Sequence, residues 1–231
     1  ETMAKRRAID TAKMIQRYLR LYSGPIYDVM SEMGYPNQVL SHEIRPLVRG
    51  TKLAGPALTL QSVDAVPGSV QRAESYFSAL CKACTPGCVA VYSMGREQMA
   101  GHWGELTSTS VKAHGCQGVV IDGGARDSDL LERLGFPVFC RYTSPIEMAP
   151  RACFISCQKP VFMSGSLTTV VKVEPADWVF GDGDGVTIIP HHIAIDVLLK
   201  AEALVERERK GRELFTTGMD PDEVIRRYGV G

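Results

Sequence analysis

Gly104-Glu105 and Arg126-Asp127, with twenty residues between Glu105 and Arg126, are the residues of this chain whose types and spacing could do chemistry. The second pair closes the stretch VVIDGGARDSD, residues 119–129, where an apolar strand runs into Asp122, two glycines and a cluster of charge. Gly123 and Gly124 remove side chains where backbone amides can approach a ligand, and a helix beginning just after them would point its N-terminus into the same space. Arg126 offers a planar fork for a carboxylate, and Asp127 a hard oxygen for a divalent cation. An Arg paired with a neighbouring acid and an Asp capping the next helix account for the same letters equally well. Glu105 has its own plain alternative, an acid complementing the positive end of a helix, while Gly104 before it allows close backbone approach. Taken together, the two elements point to a site for a small anion and a metal ion.

The elements that must position these residues follow from periodicity. Ile9, Ala12, Ile15, Leu19 and Tyr22 fall on one face and predict an N-terminal helix over about 2–22, ended by SGP at 23–25. IYDVMSEMG predicts a short helix closed by Gly34. LAGPALTLQSV, GCVAVYSM, QGVVID and PVFCR read as strands, with YFSALCKACTPG, WGELTSTSVKAHG and SDLLERLG as helices among them. That alternation is the mark of an α/β layer structure. Beyond residue 160, PVFMSG, TTVVKVEP, DWVFGD and GVTIIP predict closely spaced strands in a β-rich layer beside it. C-terminal helices fill about 194–228, the last opening on Asp220 and Pro221. With no internal repeat or linker, residues 1–231 are expected to form a single domain, an α/β/β sandwich around a central mixed sheet.

Composition removes several classes. The 26 basic and 26 acidic residues cancel without a basic block, so nucleic acid is an unpromising partner. No apolar run is long enough to cross a bilayer and the first residues lack the core of a signal peptide, so a cytoplasmic protein is expected. Seven scattered cysteines suit reduced thiols better than a disulfide framework. Cys81, Cys84 and Cys88 with Cys153 and Cys157 could be assembled into a thiolate zinc site, but a helix with cysteines as small buried hydrophobes explains CKACTPGC more simply. Asp182 and Asp184 suit a tight turn as well as a metal. His102 and the pair His191-His192 lack spaced partners and receive no role.

Gly104-Glu105, the twenty-residue gap and Arg126-Asp127 resemble the signature of the RraA-like family, which includes class II pyruvate aldolases cleaving 4-hydroxy-4-methyl-2-oxoglutarate. IYDVMSEMG, LAGPALTL, GCQGVVIDGGARD, GFPVF and GDGDGVTIIP match in order over roughly residues 25 to 215. The resemblance implies a fold of the phosphohistidine swivelling-domain type and a homotrimer or homohexamer with sites near subunit interfaces. It implies that Asp127, with Glu105, helps hold Mg2+ or Mn2+, partly through water. Arg126 and the backbone of Gly104, Glu105, Leu106 and Thr107 would hold the pyruvoyl end of a 2-oxo acid. Many of the aldolases carry Asp before the gap; Glu105 is longer by a C–C bond, about 1.5 Å, which leaves metal geometry or substrate choice open to change.

The implied chemistry is cleavage next to C3 of a 2-oxo acid, leaving a pyruvate enolate whose charge Arg126 and a divalent cation would stabilise. Oxaloacetate decarboxylation passes through the same enolate without a base, whereas aldol cleavage needs one for the 4-hydroxyl proton. The resemblance suggests an acid from an adjacent subunit; Glu208 is the candidate, although a solvated Glu in ERERK explains it more simply. The alternatives are a non-catalytic RraA-type protein regulating a ribonuclease, or a lyase for a different oxo acid. RraA-type regulators typically lack the acid before the gap, so Glu105 favours an enzyme. A methyltransferase is disfavoured because no glycine-rich cofactor loop is evident.

Overall fold

The computed structural model describes residues 10–65 and 73–229, without the side chains of 73–75. The helices are α1 (Thr11–Tyr18), α2 (Ser23–Glu32), α3 (Ala73–Ala83), α4 (Glu105–Ala113), α5 (Ser128–Leu134), α6 (Ala194–Thr216) and α7 (Pro221–Tyr228). The strands are β1 (Arg45–Pro46), β2 (Leu53–Asp64), β3 (Val89–Ser93), β4 (Gly101–Trp103), β5 (Gly118–Ile121), β6 (Gly124–Ala125), β7 (Val138–Cys140), β8 (Tyr142–Thr143), β9 (Ala152–Cys157), β10 (Val161–Ser164), β11 (Val170–Val173), β12 (Trp178–Asp182) and β13 (Gly185–Ile189).

The central sheet is mixed, as expected, in the order β1-β7-β5-β3-β2-β12-β13, with β9 also pairing to β2. β2, β3, β5 and β7 run parallel to one another, while β1, β9, β12 and β13 are antiparallel additions. Its middle strands are buried on both faces, which is why they read as continuous apolar runs. Ala90 and Tyr92 of β3, Val119 and Ile121 of β5 and Val138 of β7 face one core with helices α3, α4 and α5. Val89, Val91, Val120 and Phe139 face a second core closed by Val161 and Met163 of β10 and Val171 and Val173 of β11. A third core packs Ile15 and Tyr18 of α1, Ile26 and Met30 of α2 and Val197 and Leu198 of α6 against Trp178 and Phe180.

Three expectations need correction. The described part of the N-terminal helix stops at Tyr18, not 22, and residues 2–9 lie outside the described residues. SGP does not end that helix; it is the first turn of α2, where proline is tolerated and Asp182 accepts the Ser23 N–H at 2.9 Å. Asp182 therefore serves both the β12-β13 turn and a helix start. Finally, β12 and β13 do not lie in a separate layer but extend the central sheet, because the first residues of β2, Leu53–Pro56, pair with β12 before β3 begins. Only the β10-β11 hairpin stands apart as a two-stranded sheet, beside a three-stranded parallel sheet, β4-β6-β8, that carries the site.

Candidate functional site

Arg126 and Asp127 stand where β6 gives way to α5, next to where β4 gives way to α4. β4 and β6 are parallel, with Gly101 opposite Gly124 and Trp103 opposite Ala125, and the Arg126 N–H donates to the Trp103 carbonyl at 2.8 Å. This register brings together two loops that the sequence holds twenty residues apart. Glycine permits the close contact: a Cβ on Gly101 would lie 2.6 Å from Arg126 Cβ, and one on Gly104 would lie 2.5 Å from Asp127 Oδ2 and push that carboxylate aside.

Asp127 adopts a left-handed backbone, φ 58°, and its side chain does not cap α5. Instead Asp127 Oδ2 accepts the Glu105 N–H at 3.1 Å, capping α4, whose own N-cap residue Gly104 has no side chain to do so. The capping alternative thus holds for the neighbouring helix rather than the following one. Arg126 Nε lies 3.8 Å from Asp127 Oδ2 with both side chains 38% exposed, so the pair adds little stability and both groups stay available to a ligand. Glu105 Oε1 accepts the Thr109 hydroxyl at 2.6 Å, one turn along α4.

The N–H groups of Leu106 and Thr107, in the first turn of α4, have no intrahelical partner. Leu106 and Thr107 line a cleft of about 170 Å³ together with Arg126, Asp127, Tyr76, Glu147 and Met148. A wider hollow of about 450 Å³ opens beside it, between α5 and Thr143–Pro145, and shares Arg126 and Asp127 as its wall. An anion entering the cleft meets a guanidinium and the positive end of a helix.

The comparisons with known proteins bear on this geometry. The family described as RraA-like: Aldolase/RraA matches residues 24–188. The chain belongs to the RraA-like family. It is 30% identical to a protein of Halalkalibacterium halodurans named "Putative 4-hydroxy-4-methyl-2-oxoglutarate aldolase", over 71% of each chain. It is 34% identical over 128 residues to the uncharacterized protein MJ0644 of Methanocaldococcus jannaschii, covering 53% of this chain and 56% of that one. Among solved structures it resembles Streptomyces coelicolor RraAS2, described as an unusual member of the RNase ES inhibitor RraA protein family, with TM-score 0.74 and 25% identity over 87% and 97% of the two chains. The chain spans 56% and 34% of the length of two of the curated relatives it matches.

Within this RraA-like fold the remaining sequence-predicted residues separate clearly. Asp122, the acid at the end of the central strand, is buried and accepts from Arg141 Nη1 at 2.8 Å and from the Ser164 N–H at 2.6 Å. It ties β5 to β10 and, through Arg141, to Glu43, so it belongs to the framework rather than the cleft. Glu208, on α6, accepts the Tyr22 hydroxyl of its own chain and lines neither hollow at Arg126. Cys88 and Cys116 are buried in the core, with Cys84 packed at its edge. Among the described residues, no helix is long and apolar enough to cross a membrane.

His102, given no role from sequence, ties together the two strands that lead into the site, β4 and β6. Its Nδ1 accepts the Gly124 N–H at 3.1 Å, so Nε2 carries the proton and donates to Glu97 Oε2 at 2.8 Å. Burial holds the imidazole below its ordinary value although Glu97 pulls the other way. Burial works against the Glu97 charge, but the Ala100 N–H, His102 and the Met99 N–H together hold that carboxyl below its usual range. A Cβ on Gly123 would lie 2.7 Å from His102 Nδ1, so the double glycine serves the packing of a histidine as well as any ligand. The only hint in the sequence is a histidine enclosed in GHWG, which spacing alone does not distinguish from a surface residue.

The donor set can be tested against a divalent cation. Among the described residues no group of three or more His, Cys, Asp or Glu side chains is arranged to hold a metal. Asp127, half-exposed at the cleft, with Glu105 at the start of α4, suits instead a cation that keeps most of its water, as Mg2+ does when bound by one or two carboxylates.

Proposed function

We propose that the chain is a divalent-metal-dependent lyase that cleaves a C–C bond of a 2-oxo acid through a pyruvate enolate. On this reading it is a 4-hydroxy-4-methyl-2-oxoglutarate-type aldolase with oxaloacetate decarboxylase activity. The observation that carries the reading is the meeting at one cleft of Arg126, Asp127 and the first turn of α4, whose Leu106 and Thr107 N–H groups have no intrahelical partner, with Gly101 and Gly104 allowing the close approach. The aldolase name of the Halalkalibacterium relative supports it.

The Arg126 guanidinium and the Leu106 and Thr107 N–H groups bind the carboxylate of the pyruvoyl end and orient its 2-oxo group toward Asp127. Asp127 and Glu105 would hold Mg2+ or Mn2+, which supplies Lewis-acid polarisation when bound. Charge that develops on the 2-oxo oxygen as the bond to C3 breaks would be met by the Arg126 guanidinium and the first-turn amides of α4, donors in place before the reaction, an arrangement that lowers such barriers. Asp127 is held for this role by the Glu105 N–H, so the same bond that caps α4 sets the carboxylate's direction.

Pyruvate release from oxaloacetate and from 4-hydroxy-4-methyl-2-oxoglutarate, with Mg2+ or Mn2+ and again with chelator, tests the reading. Chelator-sensitive release from both is the expected result. Release from neither favours the second reading, a non-catalytic RraA-type regulator of a ribonuclease, which the likeness to RraAS2 supports. Release only from another oxo acid would keep the chemistry and change the substrate.

A further inference from the structure

We propose that Glu147 of the same chain takes the proton from the C4 hydroxyl when a 4-hydroxy-2-oxo acid is cleaved; this inference rests on the lyase reading above. Glu147 lines the 170 Å³ cleft that also holds Arg126, Asp127 and the start of α4. Its backbone is pinned there: Gly101 forms a parallel β-bridge with Glu147, and the Gly101 N–H donates to the Ile146 carbonyl at 2.8 Å. Gly101 is the residue whose missing Cβ seats Arg126, so one glycine sets both sides of the cleft.

Arg126 and the helix start give the cleft a cationic head. The head carries Arg126 and the amides of α4, which bind the anionic pyruvoyl end. Tyr76, Met148 and Glu147 line the same cleft. Met148 is held by the Tyr92 hydroxyl at 3.8 Å, and the Tyr76 ring packs on Phe154 at 5.0 Å. On the proposed binding mode, with the carboxylate of a substrate at the head, its C4 end reaches Tyr76, Met148 and Glu147. Among the described residues the Glu147 side chain is exposed and neither hydrogen-bonded nor ion-paired, so it is free to accept a proton. Glu208 by contrast is engaged by Tyr22.

The step balances without an outside reagent. The Glu147 carboxylate takes the C4 hydroxyl proton and the C4–O bond becomes a carbonyl. The C3–C4 bond breaks, its electron pair passing into the C2–C3 enolate, and return of the proton to C3 gives pyruvate and restores Glu147. From 4-hydroxy-4-methyl-2-oxoglutarate the products are two pyruvates. Oxaloacetate loses carbon dioxide without this proton transfer, so the two substrates separate a base from a residue that merely shapes the cleft.

The test compares wild type, Glu147→Gln, Glu147→Ala and Glu208→Gln, all full chain with Mg2+, on both substrates. Loss of aldol cleavage in Glu147→Gln by about 100-fold or more is expected, with oxaloacetate decarboxylation changed by no more than roughly threefold. Added acetate should restore part of the cleavage to Glu147→Ala, and Glu208→Gln should cleave as wild type does. Cleavage by Glu147→Gln at the wild-type rate would overturn the assignment. So would an equal fall in both reactions without acetate rescue, since that pattern belongs to a positioning or folding defect. Wild type inactive on both substrates would sink the lyase reading itself, whereas wild type that only decarboxylates would sink the Glu147 assignment and leave that reading in place.

Discussion

Asp127 shows how one side chain can be pulled between roles. Its left-handed backbone turns the carboxylate away from α5 and onto the Glu105 N–H, so a residue that reads as a local cap becomes a clamp between two helix starts. Arg126 lies beside it, and its contribution on the lyase reading is to charge that appears only in the transition state. Arg126→Ala should therefore lose about 2–4 kcal/mol of transition-state stabilisation. Steady-state kinetics on oxaloacetate would show this as a fall in kcat, and near-normal turnover would remove Arg126 from its role. Gly104→Ala offers a steric test: the added Cβ meets Asp127 Oδ2 at 2.5 Å and must displace it. Metal titration by calorimetry should show weakened Mg2+ binding in this variant, while thermal melting stays within a few degrees of wild type. Unchanged affinity would mean that Asp127 does not hold the cation.

At the scale of the element, the three-stranded β4-β6-β8 sheet is too short to hold its register by backbone pairing alone, with only two pairs between β4 and β6. The buried Glu97-His102-Gly124 chain supplies the rest. His102→Leu leaves the Gly124 N–H without a partner and takes one of its donors from the Glu97 carboxylate, which keeps the Ala100 and Met99 N–H groups; the unsatisfied N–H costs about 1–3 kcal/mol, which chemical denaturation would measure. The sign of the pH dependence follows from the lowered values of both groups. Because the unfolded chain binds protons more readily than the folded one, stability is present above the unfolded values and falls on acidification. His102 acts from about pH 6.5 downward and Glu97 from about pH 4.5 downward. Melting temperature against pH should show the first step in wild type and not in His102→Gln; an identical profile would place the titration elsewhere.

At the scale of the whole molecule, large apolar side chains stand exposed around the site. Leu106 is 75% exposed, Met99 63% and Leu130 46%, on segments that border the cleft and the neighbouring hollow. A second copy of the chain would remove that surface from water, and closed cyclic symmetry is the usual way to satisfy such faces on every copy. We expect a trimer or hexamer. Light scattering at micromolar concentration should return a mass of three or six chains, and a monomer there would contradict the expectation.

Much of this was legible from local pattern. Strands β3, β5 and β7 announce themselves because both faces are buried, leaving an apolar run that needs no knowledge of the neighbours. Gly104-Glu105 and Arg126-Asp127 stand out because glycine and charge at a strand end are costly unless something uses them. β4, β6 and β8, of two or three residues each, were not legible, since so short a strand has no period and exists only through its partners. The same holds for His102, whose use is set by Gly124 across the sheet, and for Glu147, placed at the cleft by a bridge to Gly101 forty-six positions earlier. Residue type and short-range spacing carry the information for burial and for chemistry. Which oxygen caps which helix, and which carboxylate shares a cleft with Arg126, depends on contacts between segments distant in the chain, and those are decided only when the layers pack.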